Sequence, residues 1–232
     1  MAQQHPGKRA EARASMKAAI LEAGRRQLVQ RGAAALSLRE VARSIGVVSS
    51  AVYRYVESRD ALLTLLVADA YTQLGNVVEE SLRARAGEGW QSRLRTLAFT
   101  MRDWAMAHPE QWGLLYGAPV PGYEAPADVT TEPGVRVMAQ LLDVMSSADW
   151  GGSTPSGELR VFLQAGSADL DRAASPEQSL LAVQAWCTIV GTISMEVFGQ
   201  LGPEPRANPL IGQGILEAQL HLLGGPLSPQ RD

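Results

Sequence analysis

Residues 37–62 read SLREVARSIGVVSSAVYRYVESRDAL, and this stretch decides the fold. Ser37 is followed three residues later by Glu40, the spacing of a capping box, in which each residue can satisfy the other's backbone N–H. Leu38, Val41, Ala42 and Ile45 then form one apolar helical face. Gly46 follows at once, and glycine commonly sits just past a helix C-terminus. A second short helix is predicted from about Ser49 to Tyr55. Val52 and Val56, four apart, share its inner face. Ser49, Ser50, Ala51, Tyr53 and Arg54 look the other way. Ser58 caps a further helix, and Asp60 in its first turn suits the helix dipole. Two short helices joined by a tight glycine turn match a helix-turn-helix. The second of them would enter a major groove, its N-terminal residues near base edges. Tyr53, Arg54 and Tyr55 are suited to phosphates, which set register without specifying sequence. On spacing alone the bland alternative, a plain helical hairpin with surface serines, stays open.

Charge favours the DNA-reading alternative. Residues 1–59 carry eleven basic and four acidic side chains, a balance of +7, while residues 60–232 carry ten basic and twenty acidic, a balance of −10. An asymmetry of this size marks a nucleic-acid-binding end. The positive charge coincides with the motif, and phosphate neutralisation supplies most non-specific affinity for DNA.

Taken together, residues 14–66 resemble the TetR family of one-component bacterial regulators. The resemblance rests on Ser37, Val41-Ala42, Ile45-Gly46-Val47, Val52-Tyr53-Arg54-Tyr55-Val56 and Arg59-Asp60-Ala61-Leu62. It implies that Ser37 and Arg39 touch phosphate at the start of the second helix. Ser49, Ser50 and Ala51 would lie nearest base edges, Tyr53, Arg54 and Tyr55 would contact phosphate or base, and Arg59 would anchor phosphate. Three positions depart from the family pattern. Val48 stands where a Ser or Thr cap is usual, and valine cannot cap. Ser49 is then expected to cap, or the helix to start one residue late. Val56 replaces a phenylalanine, and Arg59 replaces a lysine.

The rest of the chain reads as further helices. They are expected over about 14–31, 59–85, 89–107, 109–116, 135–147, 176–200 and 210–223, with 158–172 partly helical. GAPVPGYEAPADVTTEPG (117–134), with four prolines, is expected to be irregular, as are 148–157 and 202–209. No strand alternation or long repeat stands out. The expected fold is all-α: a basic disordered arm (1–13), a three-helix helix-turn-helix DNA-binding domain (14–58), a larger helical-bundle ligand-binding and dimerisation domain (59–224), and a tail (225–232). Composition is that of a globular protein, 46% hydrophobic and 19% charged. No uninterrupted apolar run approaches the ~20 residues that span a bilayer, so no membrane partner is expected. The N-terminus lacks an apolar signal core. Cys187, the single cysteine, lies in the apolar run AWCTIVG and is expected to be a buried thiol. These features suit a reducing, cytoplasmic setting.

The body carries aromatic and methionine side chains suited to an apolar cavity. Met101, Trp104, Trp112, Tyr116, Phe162, Trp186 and Met195 are the candidate ligand contacts, with Trp90, Met138 and Phe198 beside them. Aromatics at helical spacing are more often plain core, so both readings stand. The resemblance implies a pocket in this body for a small apolar or amphipathic effector. More loosely, residues 90–200 resemble a C-terminal domain type within the family that carries a Trp-His-Gly signature. This chain has Trp186 and Gly191, with Val190 where histidine is expected. The family's last two helices pair with those of a second copy. Here the corresponding segments, 176–200 and 210–223, are rich in apolar residues (Leu180, Leu181, Val183, Ile189, Ile193; Leu210, Ile215, Leu216, Leu220, Leu223). Packing of both within one monomer is the alternative.

Catalysis finds no support. His5, His108 and His221 have no ligand partner at helical spacing, and there is no HExxH, no GxxxxGK and no GxGxxG between a strand and a helix. No cofactor or metal is expected. An architectural DNA binder would not need a body about three times its head. The expected function is therefore that of a homodimeric repressor, binding a pseudo-palindromic operator and released by a small-molecule effector.

Overall fold

A computed structural model describes residues 6–148, 154–204 and 208–224. Among the described residues the regular structure is helical, with no strand. The helices are α1 (Pro6–Arg31), α2 (Leu38–Ser44), α3 (Ser49–Tyr53), α4 (Arg59–Arg83), α5 (Trp90–Ala107), α6 (Pro109–Tyr116), α7 (Ala127–Met145), α8 (Gly157–Asp169), α9 (Pro176–Val197) and α10 (Pro209–Gly224). A 3-10 turn, Ala33–Ala35, joins α1 to α2. Residues 6–13, expected as part of a disordered arm, belong to α1; residues 1–5 and the expected tail, 225–232, lie outside the described residues.

Two apolar cores build the molecule, and α4 serves both. Ile20 and Ala23 of α1, Leu38, Val41 and Ala42 of α2, and Val52 of α3 close the head core against Leu62, Leu63 and Leu66 of α4. Farther along the same helix, Ala70, Leu74, Val78 and Leu82 enter the body core, with Leu97 and Met101 of α5, Trp112 of α6, Leu141 and Met145 of α7, and Leu181, Ile189 and Ile193 of α9. Gly24 lets α1 cross α4 closely: a Cβ there would stand 3.3 Å from Leu62 and Leu66 side-chain carbons. Arg25 fixes the crossing through two hydrogen bonds to Asp69, at 2.9 and 3.1 Å, and these bonds raise its pKa.

Two expectations are corrected here. Segment 117–134 is irregular only as far as Pro126. α7 starts at Ala127 and runs through Pro133, which is buried inside it. A mid-helix proline removes one backbone hydrogen bond and crowds the preceding turn. Here the flanking residues are held by packing: α7 lies along α4, Gly134 sits under Tyr71, and Arg136 reaches Asn76 and Glu79 at 2.9 Å each. Tertiary contact outweighs the local penalty. Likewise, α4 and α9 are each long and apolar enough, by length and composition, to cross a membrane. Single polar residues break every long apolar run in them without lowering the average much, and the buried sides of both helices are built into the body core.

The C-terminal part is held by a buried ion pair. Arg102 of α5 meets Glu196 of α9 through two hydrogen bonds, 2.8 and 2.6 Å, and its Nη2 also donates to the Pro209 carbonyl at the start of α10, 3.0 Å away. Both side chains are almost wholly enclosed. Gly212 of α10 lies against the Glu196 carboxylate, where no Cβ fits.

Candidate nucleic-acid interface and effector clefts

The reading end is positioned by its caps. Ser37 caps α2, its hydroxyl accepting from the Glu40 N–H at 3.5 Å. The reciprocal half of the expected capping box is absent. Glu40 pairs with Arg31 instead, and the Ser37 N–H donates to Gln27 Oε1 at 3.0 Å, while Gln27 Nε2 donates to the Ser37 carbonyl at 3.2 Å. Gly46 follows α2 with φ +72°, the left-handed conformation expected of it. The chain then turns into α3.

α3 begins without a side-chain cap. Val48 is the cap residue and stands exposed, and the Ala51 N–H bonds its carbonyl at 2.9 Å. Neither sequence alternative holds: Ser49 is the first helical residue, not the cap, and the start is not delayed. The register therefore keeps Ser49, Ser50 and Ala51 in the first turn. Ser50, Tyr53 and Arg54 are exposed, with Arg39 and Arg43 of α2 exposed in the same head; Ser37, Ser49, Ala51, Tyr55 and Arg59 are half-buried. Val52 and Val56 are buried as expected. Tyr55 faces α1, where the Arg13 guanidinium lies 5.8 Å from its ring centroid. Arg59 is partly engaged internally: one amino group donates to the Ala33 carbonyl at 3.0 Å and another to Asp60 at 3.0 Å. Ser58 caps α4 by accepting from Ala61 N–H at 3.0 Å.

The seven body residues named for a ligand do not converge. Trp112 and Tyr116 meet at 4.4 Å between ring centroids with their planes inclined at 51°, and Trp186 meets Tyr116 edge-on at 5.9 Å. Trp104 instead lies on His108, 5.2 Å away, and Met101 is wholly in the core. Phe162 and Met195 are exposed at separate places. The described residues enclose hollows at other places. A cleft of about 530 Å3 opens between α4, α6, the 117–126 connection and α7. A groove of about 640 Å3 separates the C-terminal end of α3 from Tyr123, Glu124 and Asp128. An apolar pocket of about 190 Å3, bordered by Phe162, lies between α7, α8 and α9. The first cleft was not legible from sequence because the four-proline segment that walls it carries no periodicity. Among the described residues no cluster of His, Cys, Asp or Glu is arranged to hold a metal.

The outward faces of the last helices differ from those expected. Leu181, Ile189, Ile193, Leu216 and Leu220 are buried within the monomer. The side of α9 left open carries Gln184, Cys187, Gly191, Met195 and Phe198, and that of α10 carries Leu210, Ile211, Gly214, Ala218 and Leu222. Cys187, expected to be buried, is exposed. The run AWCTIVG is apolar all round, so sequence alone did not reveal which side faces out.

A basic helix-turn-helix head on an all-helical body defines a DNA-binding transcriptional regulator. The comparisons with known proteins specify it further. Residues 20–66 match the family described as "Bacterial regulatory proteins, tetR family", and residues 94–216 match "Tetracyclin repressor-like, C-terminal domain". The HTH-type transcriptional regulators Rv1816 of Mycobacterium tuberculosis and Mb1846 of Mycobacterium bovis are each 40% identical over 228 residues, which is 94% of this chain and 94% of each relative. The crystal structure of the regulatory protein SCO4313 superposes with a TM-score of 0.72 at 29% identity, covering 94% of this chain and 99% of that one. FadR of Bacillus subtilis, solved with stearoyl-CoA, shares the fold alone: TM-score 0.56 and 12% identity, over 91% of this chain and all of that one. The chain belongs to the TetR family of transcriptional regulators, and its role is DNA-binding regulation rather than catalysis.

Proposed function

We propose that the protein is a homodimeric repressor that binds a pseudo-palindromic operator and leaves it when a small apolar or amphipathic effector enters the body. The observation that carries this reading is the exposed set Arg39, Ser50, Tyr53 and Arg54 on a head with its own buried apolar core and a balance of +7. α3 sits in the major groove with Ser49, Ser50 and Ala51 nearest base edges. Tyr53, Arg54 and Tyr55 hold phosphate or base, and Ser37, Arg39 and Arg59 hold phosphate at the two flanking helix starts. The outward apolar sides of α9 and α10 pair with a second copy. That pairing spaces the two recognition helices one helical turn of DNA apart, about 34–36 Å. The protein acts in the cytoplasm, where its DNA lies.

Effector release requires that effector and operator favour different states, with equal and opposite effects on each other's affinity. Of the residues named for the ligand, Tyr116 and Trp186 connect to the 530 Å3 cleft through Tyr71, which lines it and meets Tyr116 at 6.2 Å.

A gel-shift selection from a random-duplex pool, at near-physiological salt, tests the reading. One enriched inverted repeat is the expected result. Salt-sensitive binding without an enriched sequence would identify an architectural binder, and absence of DNA binding would overturn the operator-binding repressor reading for the isolated protein.

A further inference from the structure

The connection between α6 and α7 touches both the head and the 530 Å3 cleft in the body. Val120-Pro121-Gly122-Tyr123 is a tight turn. The Tyr123 N–H donates to the Val120 carbonyl at 3.1 Å, and Gly122 has φ +74°. Proline followed by a residue of positive φ is the signature of a type II turn. Its two ends, Val120 and Tyr123, both pack on the head core, while the residues between them are exposed. The Tyr123 hydroxyl lies 3.1 Å from the Thr64 hydroxyl. Thr64 already donates to the Asp60 carbonyl at 3.0 Å, so Tyr123 is the donor in that bond. One turn thus clasps the first two turns of α4, beside α3.

The same two ends of the turn, Val120 and Tyr123, line the 530 Å3 cleft, with Gly117, Ala118 and Pro119 just before them. Val67 and Tyr71 of α4, Leu114 of α6, and Thr131 and Val135 of α7 face it, and no charged side chain lines it. That volume is in the range of ordinary small-molecule sites. A charged occupant would lose its hydration with no counter-charge to replace it. The polar groups on offer are hydroxyls. Burial raises the pKa of Tyr71, so its phenol stays neutral, and behind it the buried Tyr116 hydroxyl has no hydrogen-bond partner. Such an orphan calls for an explanation.

We propose that this cleft binds a neutral amphipathic small molecule, and that its occupancy lifts the Val120–Tyr123 turn from the head and so breaks the Tyr123–Thr64 clasp. The proposal deepens the effector-release reading above and rests on it for its biological sense. The occupant displaces Val120 and Tyr123, which line the cleft and, with the one hydrogen bond to Thr64, are the turn's hold on the head. Losing that hold frees the start of α4, and with it the angle of the head.

Two matched fluorescent probes test the site: neutral N-phenyl-1-naphthylamine and its sulfonated analogue, 8-anilino-1-naphthalenesulfonate. The neutral probe should bind saturably, one per chain, and the sulfonate at least tenfold more weakly. Thr131→Trp, a change at an exposed α7 position that fills the cleft, should weaken the neutral probe at least tenfold. Phe162→Ser, in the separate apolar pocket, should leave it unchanged. Hydrogen exchange on the same samples tests the clasp. The neutral probe should slow exchange at 130–135 and speed it at 58–64. In Tyr123→Phe, exchange at 58–64 should be fast without probe. No saturable binding, binding that survives Thr131→Trp, or equal binding of the sulfonate overturns the site; binding with no change at 58–64 overturns the clasp. None of these readouts uses DNA, so a failed operator selection sinks the operator-binding repressor reading and leaves this result standing, and the converse holds too.

Discussion

Single residues set how the head meets DNA. Arg54 is exposed at the end of α3 and makes no ion pair among the described residues, so its charge is available to phosphate. Arg54→Ala should weaken DNA binding about tenfold and lower the slope of log affinity against log salt by about one, with an unchanged melting temperature. Titrations at several salt concentrations check this, and an unaltered slope would displace Arg54 from the phosphate contacts. Val48 offers the opposite experiment. It leaves the first turn of α3 without a side-chain acceptor, and Val48→Ser should add about 1 kcal/mol of stability, read by chemical denaturation. The caps at Ser37 and Ser58 and the left-handed Gly46 were legible in the sequence because each depends on neighbours within three residues. The Gln27 bonds to Ser37 were not, because a side chain ten residues away on another helix supplies them. Cys187 was misjudged for a related reason: composition reports how apolar a run is, not which way it faces.

Among elements, the joint between α5, α9 and α10 concentrates the most risk. Arg102→Met leaves the Glu196 carboxylate buried without a partner and should cost about 3–5 kcal/mol. The double change Arg102→Met with Glu196→Leu removes both charges and should recover most of that loss. Equilibrium denaturation of the two variants distinguishes the outcomes, and a double variant as unstable as the single one would show that packing, not charge, governs the joint. The ten helices among the described residues were located to within a few residues at most ends, because amphipathic spacing and Pro or Ser starts are local signals. α1, expected from 14 and starting at Pro6, and α7, expected from 135 and starting at Ala127, were the exceptions. The first two turns of α7 follow Pro126 and carry Pro133, and they are helical because α4 supplies a surface to lie along.

At the scale of the whole molecule, the proposed dimer rests on the open sides of α9 and α10. Met195 and Phe198 are exposed on one and Leu210 and Leu222 on the other. Met195→Glu should convert the proposed dimer to monomer in light scattering and abolish operator binding, although the head is untouched; a dimer that persists would place the interface elsewhere. The helices proposed for pairing were legible from their apolar content. Which side of them faces outward was not, since Leu181, Ile189, Ile193, Leu216 and Leu220 fill the monomer's own core.

α4 is one helix of 25 residues, about 37 Å long, with Leu62, Leu63 and Leu66 in one core and Leu74, Val78 and Leu82 in the other. The boundary drawn at residues 58 and 59 therefore cuts through the head rather than beside it. Expressed as residues 6–58, the head would present a greasy socket where three leucines belong, and would clump. Extended to residue 83, it would carry an uncovered apolar stripe instead. The two halves of this protein share a spine, so heat should melt them in one calorimetric step.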